Sequence, residues 1–163
     1  MCGKQEPFDQ TARYVLSFLG KKDNAIGWVI KNRYIKNGKN MGSYLLVFIG
    51  AGLGGMFRYA LWMLNKATSF IPVGTLLANV AGCFCAGIML AYMQKASIDR
   101  RLYLFLMPGF LGGFTTFSAF SVETLGLMQS GQIFGAVFNI VISVCGSLCM
   151  ALVGYAAAKN FLL

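Results

Sequence analysis

The chain has 163 residues, room for one domain and a tail. Hydrophobic residues make up 57% of it and charged residues 12%, which leaves too little polar surface for a soluble globular domain. The formal net charge is +9, but the charges collect in the first forty residues and in short gaps between apolar runs. That distribution belongs to a membrane protein rather than a nucleic-acid binder.

Residues 1–41 form a basic tail. Eight Lys and Arg stand against Glu6, Asp9 and Asp23 in the first forty residues, a local net charge of +5. The apolar stretches Tyr14–Leu19 and Ala25–Ile30 are too short to span a bilayer. No cleavage pattern of a signal peptide follows them. The tail reads as an upstream translation start or a solvated segment; the alternative is an amphipathic stretch that touches anionic lipid.

Residues 42–163 carry four apolar runs, at about 43–64, 72–93, 102–128 and 133–158. Each reaches the roughly 20 residues that a helix needs to cross a bilayer. The runs do not alternate apolar with polar, so they read as helices and not as barrel strands. The gaps between them are short, which predicts antiparallel neighbours in a compact all-α bundle. Arg58 is the only charge in the first run and Glu123 the only one in the third. Lys95, Arg100, Arg101 and Lys159 fall on one membrane face and Lys66 on the other. Both termini are therefore expected in the cytoplasm.

In the second run, Thr75 and Asn79 lie four apart and share a helix face. An Asn in lipid is costly, so Asn79 should face another helix or a pore, and its two N–H donors suit an anion. Ala78, Gly82 and Ala86 make a small-residue stripe for close helix contact. In the third run, Pro108, Gly109, Gly112 and Gly113 fall near mid-span and are expected to weaken or open the helix. Irregular backbone at that depth survives where it is buried or lines a cavity, and its carbonyls can hold a hard cation. A kink that merely helps packing is the other reading. Phe117 and Phe120 share a face beyond it. Phenyl rings have a positive edge that a small anion can touch, although spacing alone favours ordinary aromatic packing. In the fourth run Asn139, Ser143 and Ser147 form a polar stripe. With Thr75 and Asn79 it suggests a polar track through the bundle. Arg58 either snorkels to the headgroups or supplies a positive field to a vestibule.

The chain has no His, which removes the commonest general acid–base group. Four of its five cysteines lie in apolar runs without a CxxC pair and read as small buried hydrophobes. No enzymatic motif is present.

Three of these stretches resemble one family. Gly112-Gly-Phe-Thr115-Thr-Phe117-Ser-Ala-Phe120-Ser-Val-Glu123 resembles the signature of the CrcB, or Fluc, fluoride channels. Gly52-Leu-Gly-Gly-Met-Phe-Arg58-Tyr59 and Gly74-Thr75-Leu-Leu-Ala-Asn79-Val-Ala-Gly82 resemble its first-helix and second-helix patterns. The resemblance implies a passive channel that exports fluoride across the cell membrane, built as a dimer of two inverted copies. It implies third helices broken mid-membrane that cross at the dimer centre and hold a structural sodium ion. The backbone carbonyls of Gly112 and Thr115 would be the sodium ligands. Phe117 and Phe120 would meet fluoride with their ring edges, and Asn79 would donate to it. Thr75, Ser143 and Ser147 match the polar track, and Arg58 the first-helix arginine. The Lys/Arg bias of this chain leaves open a related chain as the inverted partner. The rival readings are a small multidrug-type four-helix exporter, which would need an acidic residue in its membrane path, and a non-transporting membrane subunit.

Overall fold

A computed structural model describes residues 41–65, 71–95 and 98–162, all within the unit Lys39–Leu163. The expectations for the basic tail lie outside the described residues. Every regular element among the described residues is helical: α1 (Met41–Trp62), α2 (Val73–Lys95), α3 (Arg100–Leu104), a π-helical segment (Phe105–Leu111), α4 (Gly112–Phe114), α5 (Phe117–Gln129) and α6 (Ile133–Leu162). Four stretches are long and apolar enough to cross a membrane: Met41–Trp62, Val73–Gln94, Arg100–Gln129 and Ile133–Phe161. They agree with the four expected runs to within a few residues. The last continues past Ala158 to take in Lys159, whose long stem lets the charge reach the headgroups.

The apolar side chains point outward. Phe48, Phe57, Phe134, Leu148 and Leu152 are all exposed, as lipid-facing surfaces should be, while Thr75, Thr124, Asn139 and Ser143 are buried. Lipid tails are as apolar as Leu, so the helices cannot associate by hiding leucines. Close packing and hydrogen bonds must hold them together.

Glycine makes the close packing. The most extensive contact joins α2 to α6. There a Cβ on Gly87 would collide with the Ala151 carbonyl, and one on Gly154 with the Phe84 carbonyl. The second contact joins α1 to the first half of the third span. A Cβ on Gly54 would strike the Phe110 carbonyl, and one on Gly113 the Ala51 backbone. The expected Ala78–Gly82–Ala86 stripe is only part of this. Ala78 is fully buried and Gly82 lies against Thr115, but Gly87 makes the backbone contact with α6.

The third span departs from expectation in its middle. Pro108 and the glycines beside it do not open the chain. Pro108 sits inside the π-helical segment, whose wider turn accommodates the ring that would clash in an α-helix. Gly109 and Gly113 are used for contact with α1. The residues that leave helical geometry are Thr115 (φ −81°, ψ 151°) and Thr116 (φ −150°, ψ 123°).

Gly87→Val is expected to destabilise the bundle by about 1–3 kcal/mol through overpacking. The melting temperature of the detergent-purified protein checks this. An unchanged value would mean that α2 and α6 separate without cost.

Candidate functional site

The site begins at the two extended threonines. Thr116 caps α5, its Oγ1 accepting the Ala119 N–H at 3.3 Å, as an N-cap Thr does. Thr115 turns its own hydroxyl back to donate to the Leu111 carbonyl at 2.9 Å. Their backbone is held from across the bundle by Asn79 of α2. The Thr116 N–H donates to Asn79 Oδ1 at 2.7 Å, and Asn79 Nδ2 donates to the Thr116 carbonyl at 3.0 Å. The carboxamide thus pairs with both backbone groups of one residue. One Nδ2 hydrogen remains for other use.

These bonds divert donors from two carbonyls. In an unbroken helix the Thr116 N–H would close onto the Gly112 carbonyl, and the Ala119 N–H onto the Thr115 carbonyl. Asn79 takes the first and the Thr116 hydroxyl takes the second. The carbonyls of Gly112 and Thr115 each lose their helical donor, one turn apart. Hard oxygen donors of this kind suit an alkali cation. Among the described residues, no group of three His, Cys, Asp or Glu side chains could hold a metal instead.

Beside the threonines lies an open cleft of about 350 Å³. Asn79 comes to it from α2, Phe117 and Phe120 from α5, and Ser143 and Ser147 from α6. Five of the residues singled out in the sequence therefore meet at one place. Phe120 is buried, but Phe117 is 78% exposed, so packing within the chain does not account for its ring. The two ring centroids stand 5.4 Å apart, the planes tilted by 46°, and both residues line the cleft. Behind the serines runs a buried chain of hydrogen bonds. Ser143 Oγ donates to Asn139 Oδ1 at 3.4 Å, Asn139 Nδ2 to Thr124 Oγ1 at 2.9 Å, and Thr124 Oγ1 to the Phe120 carbonyl at 2.7 Å. It ties the serine-bearing helix to the phenylalanine-bearing one. Cys83 also lines the cleft, and its thiol is free.

Thr75 and Arg58 are placed elsewhere. Both line a second cavity of about 290 Å³, with Tyr59 and Trp62, and Thr116 lies between the two cavities. Arg58 Nε donates to the Gly113 carbonyl at 3.1 Å. That bond ties it to the third span. Thr75 Oγ1 donates to Glu123 Oε1 at 2.7 Å, which commits its hydroxyl hydrogen. The track drawn from the sequence is thus two separate clusters on either side of Thr116.

Sequence reasoning missed the partners of that second cluster. Asn65 Nδ2 donates to Glu123 Oε1 at 3.0 Å, and Asn65 Oδ1 accepts the Gly74 N–H at 2.6 Å. One side chain therefore joins the end of α1, the start of α2 and the middle of α5. The other carboxyl oxygen, Glu123 Oε2, is buried without a hydrogen-bond partner among the described residues. The available signal was a lone acidic residue in a span, with Asn65 and Thr75 at the adjoining helix ends.

Asn79→Leu strips the Thr116 peptide of both partners, at about 1–3 kcal/mol for each orphaned group. A clear fall in melting temperature is expected, while Thr116→Ser, which keeps the backbone pairing, should change it little. Equal melting temperatures for wild type and Asn79→Leu would show that the pairing contributes nothing.

A family profile described as "CrcB-like protein, Camphor Resistance (CrcB)" matches residues 45–155. "Fluoride-specific ion channel FluC 1" of Yersinia pestis is 42% identical over 119 residues, which is 72% of this chain and 94% of that protein. "Fluoride-specific ion channel FluC" of Francisella tularensis subsp. tularensis (strain SCHU S4 / Schu 4) is 43% identical over 117 residues, 68% of this chain and 90% of its own length. The protein of the same description from Legionella pneumophila (strain Lens) is 42% identical over 123 residues, 74% of this chain and 92% of its own.

Proposed function

The chain belongs to the CrcB family, and from that premise we propose that it is a passive fluoride-selective channel that lets fluoride leave the cytoplasm through the cell membrane. The observation that carries this reading is the cleft in which Asn79, Phe117, Phe120, Ser143 and Ser147 meet. Fluoride is small and strongly hydrated, so a selective path must replace its water with donors at close range. Asn79 offers a free N–H, Ser147 a hydroxyl, and the two rings offer positive edges. Among the described residues no cation lines this cleft, so none of them would trap the ion. Ser143 must turn its hydrogen from Asn139 to act as a donor, and at 3.4 Å that bond is weak enough to exchange. Arg58, in the neighbouring cavity, supplies a positive field that draws anions in without binding them in the path. No chemistry is catalysed.

The dimer belongs to the same proposal. Phe117 stands at an open wall of its own chain, and an inverted second copy, or an inverted related chain, would close it. The interruption at Thr115–Thr116 then lies mid-membrane at the centre of the pair. The carbonyls of Gly112 and Thr115 suit a structural Na+ there. The ion would supply positive charge to hold two such interruptions together. The excess of Lys and Arg on one membrane face favours a related chain as the partner.

In liposomes the purified protein should release fluoride and retain chloride. Phe117→Ile should abolish fluoride efflux at an unchanged elution volume, and Asn79→Asp should do so by placing negative charge in the path. Wild-type efflux from Phe117→Ile would remove the ring from the path, and chloride efflux would overturn the assigned selectivity. Replacing Na+ by a large organic cation is expected to lower the melting temperature of the wild type by several degrees. No dependence on Na+ would argue against the carbonyl site.

A further inference from the structure

A second basic feature stands apart from this site, at the end of the bundle where α1 and α3 begin. Asp99 leads the chain into the third span, its Oδ1 accepting the Arg101 backbone N–H at 2.8 Å. That cap sets Arg100 and Arg101 side by side at the membrane face. Arg100 Nη2 donates to Ser43 Oγ of α1 at 3.4 Å, tying together the two span ends. Arg101 is exposed. Between these residues and Leu45, Leu46 and Leu104 lies a cleft of about 500 Å³. Its lining combines two guanidinium groups with three leucines. Its place at the first turns of two spans is where hydrocarbon gives way to headgroups.

We propose that this cleft binds an anionic phospholipid, the phosphate against Arg101 and Arg100 and an acyl chain along Leu45, Leu46 and Leu104. A guanidinium presents paired donors that match phosphate oxygens, and basic pockets between membrane helices at this depth hold lipid headgroups. Arg101 makes the direct contact, and Arg100, held to Ser43, stands beside it. Asp99 lies at the same rim. Its carboxylate repels a second phosphate and accepts a headgroup hydroxyl, so the fitting ligand is a singly charged glycerol headgroup. The inference depends on the chain spanning a bilayer and not on which ion crosses it.

Native mass spectrometry of the detergent-purified full chain tests this, with phosphatidylglycerol and phosphatidylcholine as probes at equal concentration. The wild type should retain phosphatidylglycerol preferentially. Arg101→Gln should lower that retention about fivefold, the weight of one basic residue near an anionic surface, and Arg100→Gln with Arg101→Gln should bring it to the phosphatidylcholine level. Because Arg100 also ties α1 to α3, the single Arg101 variant decides if the double variant fails to fold. Lys159→Gln, which removes another exposed basic residue outside the cleft, should change nothing. Equal retention of the two lipids by the wild type, or undiminished retention by Arg101→Gln, would overturn the proposal. An equal loss in Lys159→Gln would reduce the effect to general surface charge. Displacement of the lipid by equimolar glycerol 3-phosphate would assign the cleft to a soluble phosphate instead.

Discussion

The pairing of the Asn79 carboxamide with the Thr116 peptide governs the centre of this molecule. A membrane span cannot leave helical geometry unless each freed backbone group finds a partner. Here one side chain from another helix supplies both partners for the residue where winding stops. The same two bonds have an effect one turn upstream, since a donor given to Asn79 is withheld from Gly112. The interruption is thus stabilised and functionalised by a single contact, and the start of α5 is set with Phe117 and Phe120 turned towards the cleft. The buried relay from Ser143 through Asn139 and Thr124 to the Phe120 carbonyl fixes the opposite wall.

The four spans were legible in the sequence because length and unbroken apolar character determine them without reference to neighbours. Asn79 was legible as a polar residue needing a partner, but which partner was not. The break was expected at Pro108 and its glycines, the strongest local signals for one. The structure keeps those residues wound and opens the chain at Thr115 and Thr116, which carry no breaker signal of their own. Their conformation is decided by a residue 37 positions away, and local propensity cannot report a contact of that range. Thr75 shows the same limit. Its spacing from Asn79 puts both on one face of α2, yet its hydroxyl is claimed by Glu123 on another helix. Among the glycines, Gly82 stood out because it belonged to a visible stripe. Gly87 and Gly154 did not, since their meaning lies in the backbone of the facing helix.

Polar side chains share the interior with small and large apolar ones. The outward surface is aromatic and aliphatic, and the buried positions include Thr75, Thr124, Asn139 and Ser143. In water such an interior would be a liability. In lipid the hydrogen bonds of those groups, with glycine-mediated backbone contact, are what distinguish a helix neighbour from an acyl chain. The polar interior therefore serves assembly and, through Ser143, reaches the wall of the cleft.

The π-helical segment has a consequence for how this sequence can vary. A single π-turn holds one more residue than the α-turn it replaces. Each residue in an α-helix advances the chain by about 100°. Loss of one codon between Phe105 and Leu111 would let the wide turn relax to an α-turn and leave the azimuth of everything downstream nearly unchanged. A second loss has no wide turn to absorb it and would swing the downstream residues by about that angle, so that Thr116 turned from Asn79 and Phe117 from the cleft with every residue of the signature still present. The segment is thus a reserve of one residue, and past that reserve its length is constrained as strongly as the signature's composition.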